Sequence, residues 1–165
     1  MMTVIVDTNV PKVANGREES HQASCDCVNI CRNRAEGIIR GEEKLVLDDE
    51  WIILSEYMNN LRSSGEPGTG DRFLKWVLAN KDTQCDLVQI TSVGGLVNEF
   101  EEFPDDSGLE GFDDDDRKFV AVSCAHPDNP PILQAVDEKW RDFLDALQEN
   151  GVRVDYICED YVQNP

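Results

Sequence analysis

Val4-Ile5-Val6-Asp7-Thr8-Asn9-Val10, close to the start of the chain, is the stretch from which the fold is read. Its β-branched residues predict a buried central strand. The strand closes on Asp-Thr-Asn, so its C-terminal tip delivers a carboxylate, a hydroxyl and an amide to a cleft. Three later elements carry further acids: a helical run around Glu56, a helix opened by Asp116, and a strand ending at Asp137. We read these four carboxylates as one candidate site for a divalent metal.

Outward from the first strand, residues 11 to 20 are polar and charged and read as a loop. Over residues 24 to 39, Cys27, Ile30, Cys31, Ala35 and Ile38 recur at helical spacing and Gly41 closes the segment, which predicts a crossover helix. Residues 44 to 47 read as a short strand. Asp48 or Asp49 then caps a helix through Ile52, Ile53, Tyr57 and Leu61. Residues 63 to 70, rich in Ser, Gly and Pro, form an exposed connection, and Phe73, Leu74, Val77 and Leu78 mark another amphipathic helix. Residues 86 to 91 read as a third strand, 96 to 103 as helical and 104 to 111 as an acidic loop. A helix from Asp113–Asp116 through Phe119, Val120 and Val122 follows. Residues 132 to 136 read as a fourth strand, 139 to 149 as a helix and 152 to 157 as a last strand. Strands alternating with helices predict an α/β sandwich around a mostly parallel sheet, and 165 residues fit a single domain spanning the chain.

Acids outnumber bases 34 to 15, a formal net charge of -19. That excludes a protein that attracts nucleic acid by its overall field. Any action on nucleic acid then requires divalent ions that recruit phosphate at one cleft, or a basic partner or local patch that supplies the binding surface. Six cysteines form no framework, and the N-terminus lacks a basic region followed by an apolar stretch, so a reducing cytosol is expected. No apolar run approaches the roughly 20 residues that span a bilayer, which predicts a soluble protein with no membrane partner.

In open parallel α/β sheets the active crevice lies at the C-terminal ends of strands, where strand order reverses. Asp7 and Asp137 both sit where a strand gives way to a loop, so their carboxylates converge if the two strands are neighbours. Asp116 begins a helix, whose dipole helps hold a carboxylate ionised. Glu56 lies on a helix face that can lean over the same cleft. Crowded carboxylates raise one another's pKa until a cation neutralises them, and hard oxygen donors select Mg²⁺ or Mn²⁺ over zinc. Four consecutive acids at Asp113–Asp116 leave the register open; Asp116 is chosen because it stands three residues before Phe119-Val120-Ala121.

Val-Ile-Val-Asp7-Thr8-Asn9, Leu54-Ser55-Glu56-Tyr57, Asp116-Arg117-Lys118-Phe119-Val120-Ala121 and Ala135-Val136-Asp137 resemble, in order, the successive acidic motifs of PIN domains. The likeness runs through nearly the whole chain, with residues 63 to 112 the least matched. It implies a three-layer α/β sandwich with a five-stranded parallel sheet of order 3-2-1-4-5. It also implies a metal-dependent ribonuclease directed at single-stranded RNA, of the kind found in toxins paired with an antitoxin and in RNA-processing factors. By the same likeness Asp7, Asp116 and Asp137 would ligate metal, Glu56 would reach it directly or through water, and Asn9 would support the site with its amide. One departure is Val136, which stands where many relatives place a small hydroxyl residue.

Other residues receive plainer readings. Cys25, Cys27 and Cys31, with His21 nearby, read as ordinary thiols on a crossover helix, since no second pair has zinc-ligand spacing. Cys124 and His126 read as structural, and Trp51, Trp76 and Trp140 as core or core-edge aromatics. Gly94-Gly95 lacks the lysine and spacing of a phosphate-binding loop. Two functions from different classes stand side by side. One is an endoribonuclease, a toxin or defence effector with a protein antitoxin, for which DNA stays open as a substrate. The other is an inactive PIN-fold scaffold whose acidic surface meets a basic partner. Homo-oligomerisation is open under both.

Overall fold

The computed structural model describes residues 1–16 and 23–158. Five strands, β1 (Thr3–Val6), β2 (Lys44–Asp48), β3 (Asp86–Val88), β4 (Ile132–Gln134) and β5 (Val154–Tyr156), form one sheet of order β3-β2-β1-β4-β5. Every neighbouring pair is parallel. The central strands are apolar because both of their faces are covered: Val4, Ile5, Leu45, Val46, Leu47, Ile132 and Leu133 are all fully buried.

Among the described residues, six α-helices flank the sheet and give three layers: α1 (Asn9–Ala14), α2 (Cys25–Ile39), α3 (Ile52–Asn60), α4 (Thr69–Asn80), α5 (Arg117–Ala125) and α6 (Leu144–Glu149). Helices α1, α2 and α4 pack on one another, while α5 lies against β1, β2 and β4. The chain builds β1, β2 and β3 in one direction and then returns to place β4 on the other side of β1. The strand order therefore reverses between β1 and β4, and ligand crevices in such sheets open at that point.

Several local expectations are corrected. Residues 9–14 are a helix rather than part of a loop, and Pro11 is tolerated because it occupies the first turn, where its missing N–H has no intrahelical acceptor to lose. His21 and the rest of residues 17–22 lie outside the described residues. Residues 96–103 are not helical: Gly94, Gly95 and Asn98 take positive φ, and Val93 N–H donates to the Glu99 carbonyl at 2.9 Å beside an antiparallel bridge from Ser92 to Phe100. β3 stops at Val88, short of Thr91. β4 stops at Gln134, and Asp137 caps a 3-10 helix over Glu138–Phe143 by accepting Lys139 N–H at 3.0 Å, so α6 starts only at Leu144.

Of the two acids read as caps for α3, Asp48 does the work. Its carboxylate accepts Ile52 N–H at 2.8 Å and Ile53 N–H at 2.9 Å, across a left-handed Trp51 with φ 63°. Helices α1 and α4 approach so closely that a Cβ on Gly70 would run into the Pro11 carbonyl. Cys27 is joined to Cys158 by a disulfide, which corrects the expectation of an ordinary thiol at Cys27, while Cys25, Cys31, Cys85 and Cys124 are free. Among the described residues, no helix is long and apolar enough to cross a membrane.

Candidate functional site

β1 and β4 set the floor of the site. Ile5 pairs with Ile132 and Val6 with Leu133, and Asp7 N–H donates to the Leu133 carbonyl at 3.1 Å, so the pairing carries one step past the end of β1. The next residue of β4, Gln134, is fully buried. A buried amide needs partners, and Gln134 finds them at the tip of β1. Its Nε2 donates to Asp7 Oδ2 at 2.8 Å, and its Oε1 accepts Asn9 Nδ2 at 2.5 Å. Asn9 completes a ring by donating Nδ2 to Asp7 Oδ1 at 2.6 Å and accepting Ala135 N–H at 2.8 Å. Asp7 is thereby fixed by two amide side chains and by the Asn9 backbone N–H at 3.0 Å. Behind it, the Tyr57 hydroxyl donates to the Val6 carbonyl at 2.5 Å.

The other acids approach this tip from three elements. Glu56 on α3 accepts a hydrogen bond from the Thr8 hydroxyl and pairs with Lys118 of α5 at 2.8 Å. Lys118 is itself buried and also donates to the Asp115 carbonyl. Asp116 sits where a 3-10 turn over Asp114–Asp116 leads into α5. Of the four consecutive acids it is the buried one, whereas Asp114 and Asp115 face solvent. Lys139 gathers the remaining charges, with its Nζ 2.7 Å from Asp113, 4.0 Å from Asp116 and 4.0 Å from Asp137. The Asp137 carbonyl accepts the Tyr156 hydroxyl at 2.8 Å, which ties that loop to β5.

Electrostatics separate the members. Burial pushes the Asp7 carboxyl up from 3.8 to about 7, opposed by the hydrogen bonds from Asn9 and Gln134 and assisted by the nearby charges of Glu56 and Asp137. Burial likewise pushes Asp116 up to about 8, with the charges of Asp7, Asp137 and Asp113 adding to it and Lys139 opposing. Asp116 Oδ2 is buried and has no hydrogen-bond partner. Two desolvated carboxyls, one with a buried oxygen that takes no hydrogen bond, suit a hard cation, although Lys139 at 4.0 Å from Asp116 already supplies part of the compensating charge. The donor set thus fits Mg²⁺ or Mn²⁺ in chemical type. In spacing it is open: among the described residues, no three carboxylates bring their oxygens within 4.8 Å of one another, and the trio that does is Cys27, Cys31 and Cys158.

The four acids and Asn9 read from the sequence therefore come to one end of the sheet, around the β1–β4 junction. The Thr8 hydroxyl expected at the strand tip is there too, and Gln134, Lys118 and Lys139 join them without having been singled out. Gln134 carried a readable signal, a lone amide in the apolar run Ile132-Leu133-Gln134-Ala135-Val136, where an unpaired polar group would be costly. The lysines carried none, because a single Lys on a helix reads as a solvated face. Comparisons with protein-family models, curated proteins and solved structures give no match.

Proposed function

We propose that the chain is a metal-dependent phosphodiester hydrolase of PIN type, acting as an endoribonuclease on single-stranded RNA with Mg²⁺ or Mn²⁺. The observation that carries this reading is the Asp7–Asp116 pair, two carboxyls raised by burial at the strand-order reversal, with one buried oxygen that takes no hydrogen bond. Perturbed acids gathered in a crevice are the usual mark of a working site.

Asp7, Asp116 and Asp137 would hold the ion, with Glu56 at its margin. When bound, a divalent cation supplies a water of lowered pKa and neutralises charge building on the phosphate. The protein's own part is positional. Gln134 and Asn9 keep both Asp7 oxygens oriented, so that the carboxylate does not swing when substrate arrives. Glu56, held by Thr8 and Lys118, is placed to take a proton from an attacking water. Lys139 and Lys118 provide local positive charge in a chain whose overall field repels RNA. A protein antitoxin or another basic partner would complement that acidic surface.

A second reading has its own support. Lys118 and Lys139 already pair with Glu56, Asp113, Asp116 and Asp137, so the acids are partly compensated from within, as an inert scaffold of the same fold would need. One set of assays decides. Purified protein is incubated with single-stranded RNA and Mn²⁺ or Mg²⁺, alongside Asp7→Asn and Lys139→Gln. Cleavage lost in Asp7→Asn with circular dichroism unchanged supports the enzyme. No cleavage by either the native chain or Lys139→Gln, together with no manganese binding, leaves the scaffold.

A further inference from the structure

Three cysteine side chains meet in the core between α2 and the end of β5. Cys27 and Cys31 lie one turn apart on the buried face of α2 that also carries Ala35 and Ile38, and Cys158 follows β5 by two residues. All three are fully buried. The disulfide joins Cys27 to Cys158, and the free Cys31 Sγ lies 3.9 Å from Cys158 Sγ. A disulfide accounts for two sulfurs but not for a third stacked against the bond. A buried cysteine elsewhere in the core would read as a small apolar filler; this one is placed against a sulfur it can attack.

We propose that the trio is a redox-modification site in which Cys158 bonds to either Cys27 or Cys31, shifting the anchor of the segment after β5 by one turn of α2. The step is an exchange with no net oxidation. Burial pushes the Cys31 thiol up to about 12, so the exchange takes place when the core opens to water, which accepts the Cys31 proton as its sulfur attacks Cys158 Sγ. The bond to Cys27 breaks, and the electron pair leaves on the Cys27 sulfur, which takes up a proton. Cys27 lies in the first turn of α2, where its N–H donates to the Ser24 hydroxyl at 3.1 Å. The bond first enters by exchange with a small-molecule disulfide of the oxidised-glutathione class. Two protein thiols lose two electrons and two protons, and the reagent leaves as two thiols. Since the sulfurs are buried, that step belongs to the unfolded or opened chain, whereas the later exchange needs no reagent.

The anchor lies next to the residues that hold the acids. Ile157 N–H donates to the Gln134 carbonyl at 2.9 Å, and Tyr156 donates to the Asp137 carbonyl. The inference does not rest on the hydrolase reading, because connectivity and melting report it directly.

The full chain is reduced, refolded with oxidised glutathione, quenched in acid, blocked with N-ethylmaleimide in denaturant and mapped by mass spectrometry. Cys27→Ser is expected to form Cys31–Cys158, Cys31→Ser to form only Cys27–Cys158, and Cys158→Ser to form neither. Both bridged variants should melt roughly 10 °C above their reduced forms, as closing a loop of this length implies. In the oxidised native chain, the label should appear on Cys27 as well as on Cys31. A folded Cys27→Ser that keeps free thiols at positions 31 and 158 overturns the proposal. So does native label that, within the trio, falls on Cys31 alone beside the free Cys25, Cys85 and Cys124, a result independent of whether the variant folds. Reduced protein that retains one equivalent of zinc through dialysis, and loses it in each cysteine variant, overturns it in favour of a metal centre.

Discussion

A single aspartate and a group of aspartates sit at opposite ends of the same parallel sheet, and their carboxyls are pushed in opposite directions. At the N-terminal ends of β2 and β3, Asp86 takes Lys44 at 2.7 Å and His126 Nε2 at 3.1 Å. These partners, led by the Lys44 hydrogen bond, hold its pKa below the usual carboxylate value. At the C-terminal ends, Asp7 and Asp116 are raised to about 7 and about 8 by burial. Asp86 is a finished structural contact, complete without anything from outside. The Asp7–Asp116 end carries a cost that folding alone has no reason to retain, and such costs are characteristic of sites that await a ligand.

The contrast is open to attack, beginning with the largest effect. Asp7→Asn should lower RNA cleavage by roughly a thousandfold, the scale of removing a principal charge-stabilising group, while an Asp86→Asn control cleaves normally; equal losses in the two would erase the distinction. Next, manganese at about a hundred times its Kd should stabilise the native protein by about 2.7 kcal/mol. Calorimetry should find that gain gone in Asp116→Asn and intact in Asp86→Asn.

The pH dependence of metal-free stability has opposite signs at the two ends. A carboxyl whose folded pKa is raised binds its proton more tightly in the folded state, so Asp7 and Asp116 destabilise progressively as pH climbs from about 4 to about 8. Asp86, lowered on folding, contributes stability above its ordinary value of 3.8, and that contribution disappears as pH falls through the lowered one. Urea titrations should show Asp116→Asn flattening the upper limb and Asp86→Asn the lower. The smallest effect is the stability loss of Asp86→Asn at neutral pH, about 1 kcal/mol, because the Lys44 pair is a third exposed and screened by solvent.

The sheet was legible because its strands are nearly unbroken apolar runs between turn residues, and α2 and α4 because their apolar positions follow the helical period. What failed was local. Pro11 drew the eye to a loop although a proline in a first helical turn costs nothing. Leu96 to Phe103 has helix-forming composition, yet the positive φ values at Gly94, Gly95 and Asn98 fold the segment back on itself. The four acids and Asn9 could be named from their strand and helix contexts. The lysines that answer them could not, since pairing across 62 residues for Glu56 and Lys118 leaves no trace in spacing. The Cys27–Cys158 bond, separated by 131 residues, was invisible for the same reason.

The tight crossing at Gly70 reaches further than its position suggests. Helix α1 starts at Asn9, two residues beyond the carboxylate it orients, and it leans on α4 at a place where a hydrogen atom is the largest substituent tolerated. A methyl group at position 70 would therefore act as a wedge, prising α1 away from α4 and turning the Asn9 amide out of reach of its acid from the far side of the helix layer. Mutational scans for loss of function should find that glycine as readily as the acids themselves.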